Sequence, residues 1–374
     1  SLITNCVKSM KYDFGIAITG TPVENAWVDL WSIMDFVDPG RLKGLLAFCR
    51  TYQNQLKHLD GDVKAIEALG KQLEGELKPI FLRRQKADHL GGLPKKTIEK
   101  MPIIMPPEQQ KAYEKIIQWG SREGKKKVEI LKAIAALRDT SLFPHLSSYN
   151  ESALEEIPAQ EFFYSSARLQ AVWKILFQIK MKEEKVLIFV TSKRMQRVLK
   201  YFLEKTFGIS IQPPINGELN GEIRQHIVDT FNAKEGFAVL ILSAEAGGVG
   251  FNITAANHVI HLSRCWNPAK EDQATDRVYR IGQQKEVHVY IPIAVCQNRN
   301  VVSFDERLDQ LLEFKRNLSR SVVFPTADSV EDGKKLFRNL FPIPAGNVAD
   351  PIGDSYGAGT SYWTISDVDR MKGE

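Results

Sequence analysis

From residue 166 onward, short apolar runs alternate with helical segments, and this alternation constrains the fold more than any other feature. The runs 185–190, 237–243, 258–263 and 287–295 are rich in β-branched residues and have the length of buried strands. Segments with helical periodicity separate most of them, which is the pattern of βαβ units. Parallel strands that helices cover on both faces are apolar throughout, as these runs are. The pattern therefore predicts an α/β fold built on a parallel sheet.

The first part of the chain has a different pattern. One apolar run, 14–19, precedes a Gly-Thr-Pro turn and a helix over 26–37, for which Asn25 is a suitable cap. A single strand and helix cannot form an open sheet, so we expect residues 1–38 to be the end of a domain whose other strands lie upstream. Residues 39–165 show helical periodicity without alternation, and are predicted to be a helical insertion followed by a linker.

The last part is predicted to be less regular. An amphipathic helix is expected within 299–325, and its sequence SFDERLDQLLEFKRNL has apolar residues at helical spacing. Residues 326–374 are polar and rich in glycine and proline, and they are interpreted as a tail or as the start of a following domain.

Composition narrows the classes of protein that remain. The 374 residues are 43% hydrophobic and 25% charged, which is ordinary for a soluble globular protein. The longest apolar runs are far shorter than the ~20 residues that span a bilayer, and the first residues do not resemble a secretory leader. Four scattered cysteines without a CxxC pair indicate neither a zinc cluster nor a disulfide framework, so we expect a cytoplasmic protein without a membrane partner. The net charge of +5 is compatible with a polyanionic partner but does not identify one.

The segment DQATDRVYRIGQ contains two arginines, Arg277 and Arg280, that are three residues apart and are candidate functional residues. Asn267 is expected to cap a helix there and Gly282 to end it, so Gln273, Arg277 and Arg280 would share one helical face. One interpretation is a solvated polar face. The other is a polyphosphate site, because no acid is spaced to pair along this face and guanidinium groups bind phosphate oxygens bidentately.

A glycine-rich loop follows one predicted strand directly. Gly247, Gly248 and Gly250 come just after the run 237–243, where the backbone must turn sharply or approach a ligand closely. A tight strand-to-helix turn is the purely structural alternative. The spacing does not match a dinucleotide fingerprint, because Ile253 stands where a third glycine would be needed.

Polar and basic residues elsewhere offer two weaker candidates. Thr19, Gly20 and Thr21 follow the apolar run at 14–19, and the ends of parallel strands are where open sheets place ligands. A cluster of cations in FLRRQKADHLGGLPKK could be an anion-binding surface or an ordinary solvated one; its members are Arg83, Arg84, Lys86, Lys95 and Lys96.

Taken together, and in the order in which they occur along the chain, these segments resemble the Swi/Snf-like branch of the superfamily-two helicase-type ATPases, which translocate on double-stranded DNA. ITGTPVENAWVDLWSIMDFVDP is similar to the family's motif III and FLRRQKADHLGGLPKKT to the linker between its lobes. SARLQAVWKIL, KVLIFVTSK, LSAEAGGVGFNITAANHVI and WNPAKEDQATDRVYRIGQ are similar to the second-lobe segments up to motifs V and VI. The resemblance covers roughly residues 12–320, and it implies a RecA-like second lobe, the helicase C-terminal domain, over 166–298.

The resemblance also implies an activity and the residues that serve it. ATP and Mg²⁺ would be bound mainly by the first lobe, and Arg277 and Arg280 would be arginine fingers that reach ATP across the cleft between the lobes. The residues implied in ATP binding and coupling are Gln273, Gly250, Gly282, Thr19, Gly20 and Thr21. The residues implied in binding double-stranded DNA are Ser243, Gly247, Gly248, Arg224, Thr191 and Asn25. Such contacts would be made mainly with phosphates, so binding should depend on salt and not on base sequence.

The chain departs from the family pattern in one important respect. It contains neither a GxxxxGK[ST] phosphate loop nor a DExH box. We therefore expect it to carry about half of a composite active site, so that the parent protein is an ATPase and this chain alone is inactive. The alternatives are a non-catalytic DNA-binding or scaffold module, which has no need of the two arginines, and an unrelated nucleotide-binding enzyme, which would need a phosphate loop.

The biological setting is also an expectation from resemblance. The compact region 166–298 and the segment SFDERLDQLLEFKRNLSRSVVFP look more like bacterial members, which suggests DNA processing or anti-phage defence, with partner proteins of a multi-subunit defence or repair system. A chromatin-remodelling or repair motor is the alternative. The last residues, YWTISDVDRMKGE, resemble the start of Mrr-like nuclease domains, and a disordered tail is the other interpretation.

Overall fold

A parallel five-stranded sheet with helices on both faces is the centre of the structure. The computed structural model describes residues 2–20, 22–23, 26–59, 62–84, 92–121, 127–146, 156–245, 250–298, 301–321 and 323. The strands are β1 (Lys96–Ile104), β2 (Lys185–Phe189), β3 (Ala238–Leu242), β4 (His258–His261) and β5 (Val287–Val295). Their order in the sheet is β1-β5-β4-β2-β3, and every pair is parallel.

Helices precede the sheet, connect its strands and follow it. The first part of the chain contains α1 (Leu2–Lys8), α2 (Trp27–Val37), α3 (Leu45–Phe48), a π-helical turn (Cys49–Gln53), α4 (Asn54–His58) and α5 (Val63–Leu77). The rest contains α6 (Pro107–Gly120), α7 (Lys127–Leu142), α8 (Ala159–Tyr164), α9 (Ala167–Met181), α10 (Lys193–Phe207), α11 (Gly221–Ala233), α12 (Pro268–Thr275) and α13 (Phe304–Ser321).

Four strands lie where the apolar runs predict them, and the predicted α/β fold is confirmed. Because side chains alternate along a strand, β2 contributes to two cores on opposite faces of the sheet. Val186 and Ile188 belong to the core covered by α9 and α10. Leu187 and Phe189 belong to the core covered by α11. Burial of both faces explains why the strand reads as one continuous apolar run.

The fifth strand, β1, corrects the expectation that residues 39–165 contain no strand. It pairs in parallel with β5 from Lys96 opposite Val287 to Ile104 opposite Val295. The strand lies at the edge of the sheet, its first four residues are exposed, and burial begins only near Met101. An edge strand of this kind shows little apolar alternation, which is why the sequence pattern does not reveal it.

The apolar run 14–19 is not a strand, which corrects a second expectation. Its side chains are largely in solvent, with Phe14 81% and Ile18 94% exposed. A strand needs a hydrogen-bonded neighbour, and none of the described residues pairs with this run. The helix that follows does form, but it starts at Trp27 with Ala26 at the N-cap position, whereas Asn25 lies outside the described residues.

A buried ion pair fixes the C-terminal helix α13 to the sheet. Arg168, at the start of α9, donates through Nε to Asp305 Oδ2 at 2.6 Å, and a second bond joins its Nη2 to the other carboxylate oxygen. Asp305 also accepts from the backbone N of Ala294 at 2.8 Å, and Arg168 donates to the carbonyl of Leu262 at 2.9 Å. Both side chains of the pair are 2% exposed. The contacts therefore join α9, β5 and the segment after β4 to one carboxylate.

A second buried polar contact joins β4 to the end of α12. The ring of His261 stacks on Phe189, with 5.1 Å between the centroids, and its Nε2 lies 2.8 Å from Thr275 Oγ1. Burial lowers the pKa of His261 to about 4. The imidazole is thus neutral in the folded protein at neutral pH.

We expect Asp305→Ala to lower the free energy of unfolding by about 3 kcal/mol or more, because it leaves the buried guanidinium of Arg168 without its carboxylate. Urea titration followed by circular dichroism measures the change. Adding Arg168→Met to Asp305→Ala should recover part of the loss, because the double variant buries no lone charge. A loss below about 1 kcal/mol in Asp305→Ala would contradict this interpretation, since exposed pairs contribute that little.

The pKa of His261 also predicts how stability changes with pH. Its folded pKa of about 4 lies below the ordinary value of 6.5, so between these values the unfolded chain binds a proton that the folded chain does not. Stability should be complete above pH 6.5 and should fall as the pH decreases towards 4, with a contribution from this residue of about 1.4 kcal/mol per pH unit at most.

Urea titrations at several pH values, on the wild type and on His261→Gln, measure this contribution. The variant should show a smaller loss of stability on acidification than the wild type. His226→Gln, on the exposed surface of α11, is the matched control and should follow the wild type. Identical pH dependence in the wild type and His261→Gln would show that burial of His261 has no such effect.

Candidate functional site

An open cleft of about 1300 Å³ lies between the amino-terminal part of the chain and the turn that follows α12. Its lining residues fall within 14–20, 30–38, 80–84, 250–251 and 269–281, with Pro22 in addition, and we call it the arginine cleft. Six of the residues that the sequence assigned to ATP binding or catalysis line it: Thr19, Gly20, Gly250, Gln273, Arg277 and Arg280. Thr21 lies outside the described residues, and Gly282 follows directly after the lining segment with a φ of 103°.

The arginines reach this cleft from a turn, which corrects the expectation of a single helical face. Helix α12 ends at Thr275, although Asn267 caps its start as predicted, with Oδ1 accepting from Ala269 N at 2.8 Å. The carbonyl of Arg277 accepts from Ile253 N at 3.1 Å, outside the helix. Gly282 has the positive φ that is common in a residue ending a helix, but this helix has already ended at Thr275.

The side chain of Gln283 stabilises this turn through hydrogen bonds to backbone carbonyls. Its side-chain Nε2 donates to the carbonyl of Ala256 at 2.7 Å and to that of Val278 at 3.3 Å. Gln283 is buried, so these bonds exchange little with water. The segment 276–283 is therefore a turn held by a buried amide, and this turn presents both arginines to the cleft.

Two positive charges meet in the arginine cleft at low exposure. Arg277 is 5% exposed, and burial together with the charge of Arg280 lowers its pKa from the usual value. Arg280 is half-buried and donates through Nη1 to the carbonyl of Phe251 at 3.3 Å. An anion between the two groups would relieve their repulsion and replace part of the lost solvation.

Three acidic residues, Asp38, Asp272 and Asp276, also line the cleft. Asp38 pairs with Arg41 at 3.2 Å, and Asp272 pairs with Arg316 at 3.0 Å. Asp276 stands four residues before Arg280, so the expectation that no acid lies along the arginine face is wrong. Arg83 and Arg84, from the segment before β1, also line the cleft. Part of the basic cluster that begins with FLRR therefore lies at the cleft, and is not simply a solvated surface. Arg84 and the motif around Arg277 are far apart in sequence, and no spacing rule indicates that they share a cavity.

A second concavity, of about 480 Å³, lies at the carboxyl ends of β2, β3 and β4. We call it the strand-end groove. Thr191 and Ser243 line it, so the structure brings together two residues that the sequence assigned to DNA binding. Arg224 lies on α11 and is not among the lining residues, whereas Gly247, Gly248 and Asn25 lie outside the described residues.

The groove has positive groups that the sequence patterns do not indicate. The N-caps of two helices, Ser192 of α10 and Asn267 of α12, both line it, and helix N-termini favour anions. Arg138 and Lys270 add positive side-chain charge at its exposed wall, which also holds Glu245 and Asp139, the latter 3.6 Å from Arg138. The alternation of strand and helix could have suggested this arrangement, because the carboxyl ends of parallel strands and the N-termini of the following helices lie at the same edge.

Two properties of the described residues concern metals and membranes. Among them, no group of three or more His, Cys, Asp or Glu side chains is arranged to hold a metal ion. In the same part of the chain, every helix is too short or too polar to cross a bilayer.

Comparison with known proteins agrees with this architecture. Residues 1–149 match the SNF2-related domain, and residues 167–282 match the helicase conserved C-terminal domain. The Zorya protein ZorD of Escherichia coli O139:H28 is 36% identical over 88% of this chain and 30% of that protein. The putative ATP-dependent helicase/translocase YwqA of Bacillus subtilis is 36% identical over 91% of this chain and 36% of that protein.

A solved structure extends the likeness to three dimensions. The Sulfolobus solfataricus SWI2/SNF2 ATPase core in complex with dsDNA is 30% identical, superimposes with a TM-score of 0.51, and is matched over 92% of this chain and 70% of that chain. The chain spans about a third of the length of the curated relatives it matches. The two domain matches, the fold and the identity to the archaeal core agree, and the chain belongs to the SWI2/SNF2 family of helicase-like ATPases.

Proposed function

We propose that this chain is the C-terminal part of an ATP-dependent motor that translocates on double-stranded DNA. The observation that carries the proposal is the meeting of Arg277 and Arg280 with Thr19 and Gly20 in one cleft. The arginine cleft receives the triphosphate of ATP. The strand-end groove receives the phosphate backbone of the duplex.

The chemistry expected of the two arginines is stabilisation of charge on a transferring phosphoryl group. Negative charge spreads over the oxygens of that group, and preformed cations in a water-poor site stabilise it without reorganising. Arg277 and Arg280 have this preformed, largely buried character. Gln273, on the same wall, is proposed to orient the nucleotide or the attacking water.

The remaining parts of an ATPase site must come from residues that this sequence does not contain. No GxxxxGK[ST] loop or DExH box occurs in it, so the groups that would hold Mg²⁺ and the β- and γ-phosphates are proposed to lie on a first lobe encoded elsewhere in a longer protein. Thr19, Gly20 and Thr21 would then couple that lobe to the arginine cleft. The chain alone is proposed to be inactive.

The strand-end groove is suited to phosphates more than to bases. Hydroxyl groups of Thr191, Ser192 and Ser243, two helix N-termini and the charge of Lys270 are sequence-neutral phosphate ligands. The archaeal core of the same family was solved with double-stranded DNA, which supports a duplex as the ligand. Arg224, Gly247, Gly248 and Asn25 stay proposed DNA contacts.

The biological setting is proposed from likeness alone. The relatives ZorD and YwqA are bacterial proteins, and we propose bacterial DNA processing or genome defence with partner proteins, in the cytoplasm. A non-catalytic scaffold would retain the groove but would not need a buried and a half-buried arginine in the other cleft. The rate of ATP hydrolysis in arginine variants separates the two functions.

In the longer protein, Arg280→Ala should lower the turnover of DNA-stimulated ATP hydrolysis by about 100-fold or more, because one stabilising donor at the transferring phosphoryl group is lost. The affinity for duplex DNA should stay within about twofold. Arg277→Lys, which keeps a charge at the buried position but not the planar fork, should give a similar loss. A coupled assay for ADP release measures the rates.

Arg50→Ala is the matched control, because Arg50 is exposed and lines neither the cleft nor the groove. It should keep the wild-type rate. The 374-residue chain without added sequence should hydrolyse ATP only at background level. Wild-type rates in Arg280→Ala, or Arg280-dependent hydrolysis by the chain alone, would contradict the proposed division of the site.

The chain should bind a short fluorescent duplex with an affinity that falls as salt rises and that is similar for different base sequences. Lys270→Ala should weaken binding to all duplexes equally and reduce the slope of log Kd against log salt by about one, because one phosphate contact is lost. Fluorescence anisotropy between about 50 and 200 mM salt measures this slope.

Lys71→Ala, an exposed lysine of α5 away from the groove, should bind as the wild type does. Strong preference for one base sequence would contradict backbone recognition. An unchanged salt slope in Lys270→Ala would place the duplex elsewhere on the surface.

A further inference from the structure

Helix α12 lies between the two sites and touches both. Its N-cap Asn267 and its third residue Lys270 line the strand-end groove. Asp272 and Gln273, further along the helix, line the arginine cleft. Between these pairs stands Glu271, whose side chain is 1% exposed and lines neither concavity. A buried carboxylate in this position has no evident part in binding either ligand directly.

The contacts of Glu271 form a continuous path between the groove and the cleft. Its carboxylate accepts two bonds from Arg264, from Nε at 2.8 Å and from Nη2 at 2.9 Å, and Arg264 lines the groove. It also accepts from Arg316 Nη2 at 2.7 Å. The same Arg316 nitrogen donates to Asp272 Oδ1 at 3.0 Å, and Asp272 lines the cleft. Each link is a charge-assisted bond.

Helix α13 supplies further carboxylates that bind the two arginines of this path, Arg264 and Arg316. Its Asp309 accepts from Arg264 Nη1 at 2.8 Å and from Lys100 of β1 at 2.9 Å. Its Glu313 accepts from Arg316 at 2.9 Å. Burial is the largest single influence on the pKa of Glu271 and raises it, but the charges of Arg264, His261 and Arg316 and the hydrogen bonds from Arg264 together hold that pKa well below its usual range. Glu271 is thus ionised throughout the neutral range, and Arg264 and Arg316 compete for its charge.

We infer that Glu271 is a positioning residue that couples occupancy of the strand-end groove to the placement of the arginine turn in the cleft. The inference rests on the proposed function. A phosphate in the groove adds negative charge beside Arg264, and this weakens the ion pair between Arg264 and Glu271. Glu271 then pairs more closely with Arg316, and α12 moves together with Asp272, Gln273 and the turn that begins at Asp276.

Glutamine is a suitable replacement because it keeps the volume and removes only the charge. In Glu271→Gln, Arg264 retains Asp309 as a partner and Arg316 retains Asp272 and Glu313. Neither arginine is left buried without a carboxylate, so we expect the variant to fold. Glu271→Ala would instead leave a cavity and confuse coupling with packing.

The test is the rate of ATP hydrolysis by the longer protein with and without duplex DNA. In Glu271→Gln the stimulation by DNA should fall about tenfold or more, whereas the rate without DNA and the Kd for duplex should each stay within about twofold of the wild type. Glu271→Asp, which keeps the charge, should retain part of the stimulation. Glu161→Gln removes an exposed carboxylate of α8 that lines neither the cleft nor the groove, and it should keep the wild-type ratio.

A purely structural role would lower the stimulated and unstimulated rates in the same proportion, and that result would overturn the inference, as would full stimulation in Glu271→Gln. If Glu271→Gln does not fold, as judged by thermal unfolding, Arg316→Gln tests the other end of the path and should separate the two rates in the same way. A wild-type protein without any DNA stimulation would instead refute the proposed function.

Discussion

Burial of arginines against carboxylates at the carboxyl ends of the strands is the constraint on which the rest of this structure depends. Arg168 pairs with Asp305, and Arg264 pairs with Glu271 and Asp309, all at 2% exposure or less. A charge removed from water to this extent is tolerated only in a well-fitted pair, so each pair permits one arrangement of the helices around it. This requirement joins α13 to α9 and β5 through Asp305, and it joins α13 and α12 to Arg264 through Asp309 and Glu271.

The same constraint explains how one small helix can serve two sites. The sheet brings Thr191 and Ser243 to one edge because its strands are parallel, and α12 starts at this edge with its N-terminus towards the groove. The helix then ends at Thr275, and the turn held by Gln283 presents the two arginines on the far side. A helix with one end at each proposed ligand site gives a short physical route between the groove and the cleft, of the kind that the proposed coupling requires.

The sequence predicts those parts of the fold that are repeated and locally determined. The strands β2 to β5 and the helices α9 to α11 follow from apolar runs and helical periodicity, because each is buried on a face that the pattern reveals. The strand β1 is not predicted because it is a half-exposed edge strand. The run 14–19 is wrongly predicted to be a strand because apolar content cannot show whether a neighbouring strand exists. The predicted continuation of α12 to Gly282 is wrong because the carbonyls of Arg277 and Val278 accept from Ile253 N and Gln283 Nε2, and the helical pattern does not reveal these donors. The same limit hides the place of Arg84 in the cleft and the contacts of Glu271 and Arg316, because these depend on packing between segments.

The central claim is that Arg277 and Arg280 point at the phosphates of ATP across the arginine cleft. The most direct measurement is a structure of the longer protein with duplex DNA and an ATP transition-state mimic such as ADP with aluminium fluoride. We expect at least one of the two guanidinium groups within hydrogen-bonding distance, about 3 Å, of the fluoride or terminal phosphate oxygens. Both groups turned away from the nucleotide, or bonded to other parts of the protein while ATP lies elsewhere, would contradict the claim.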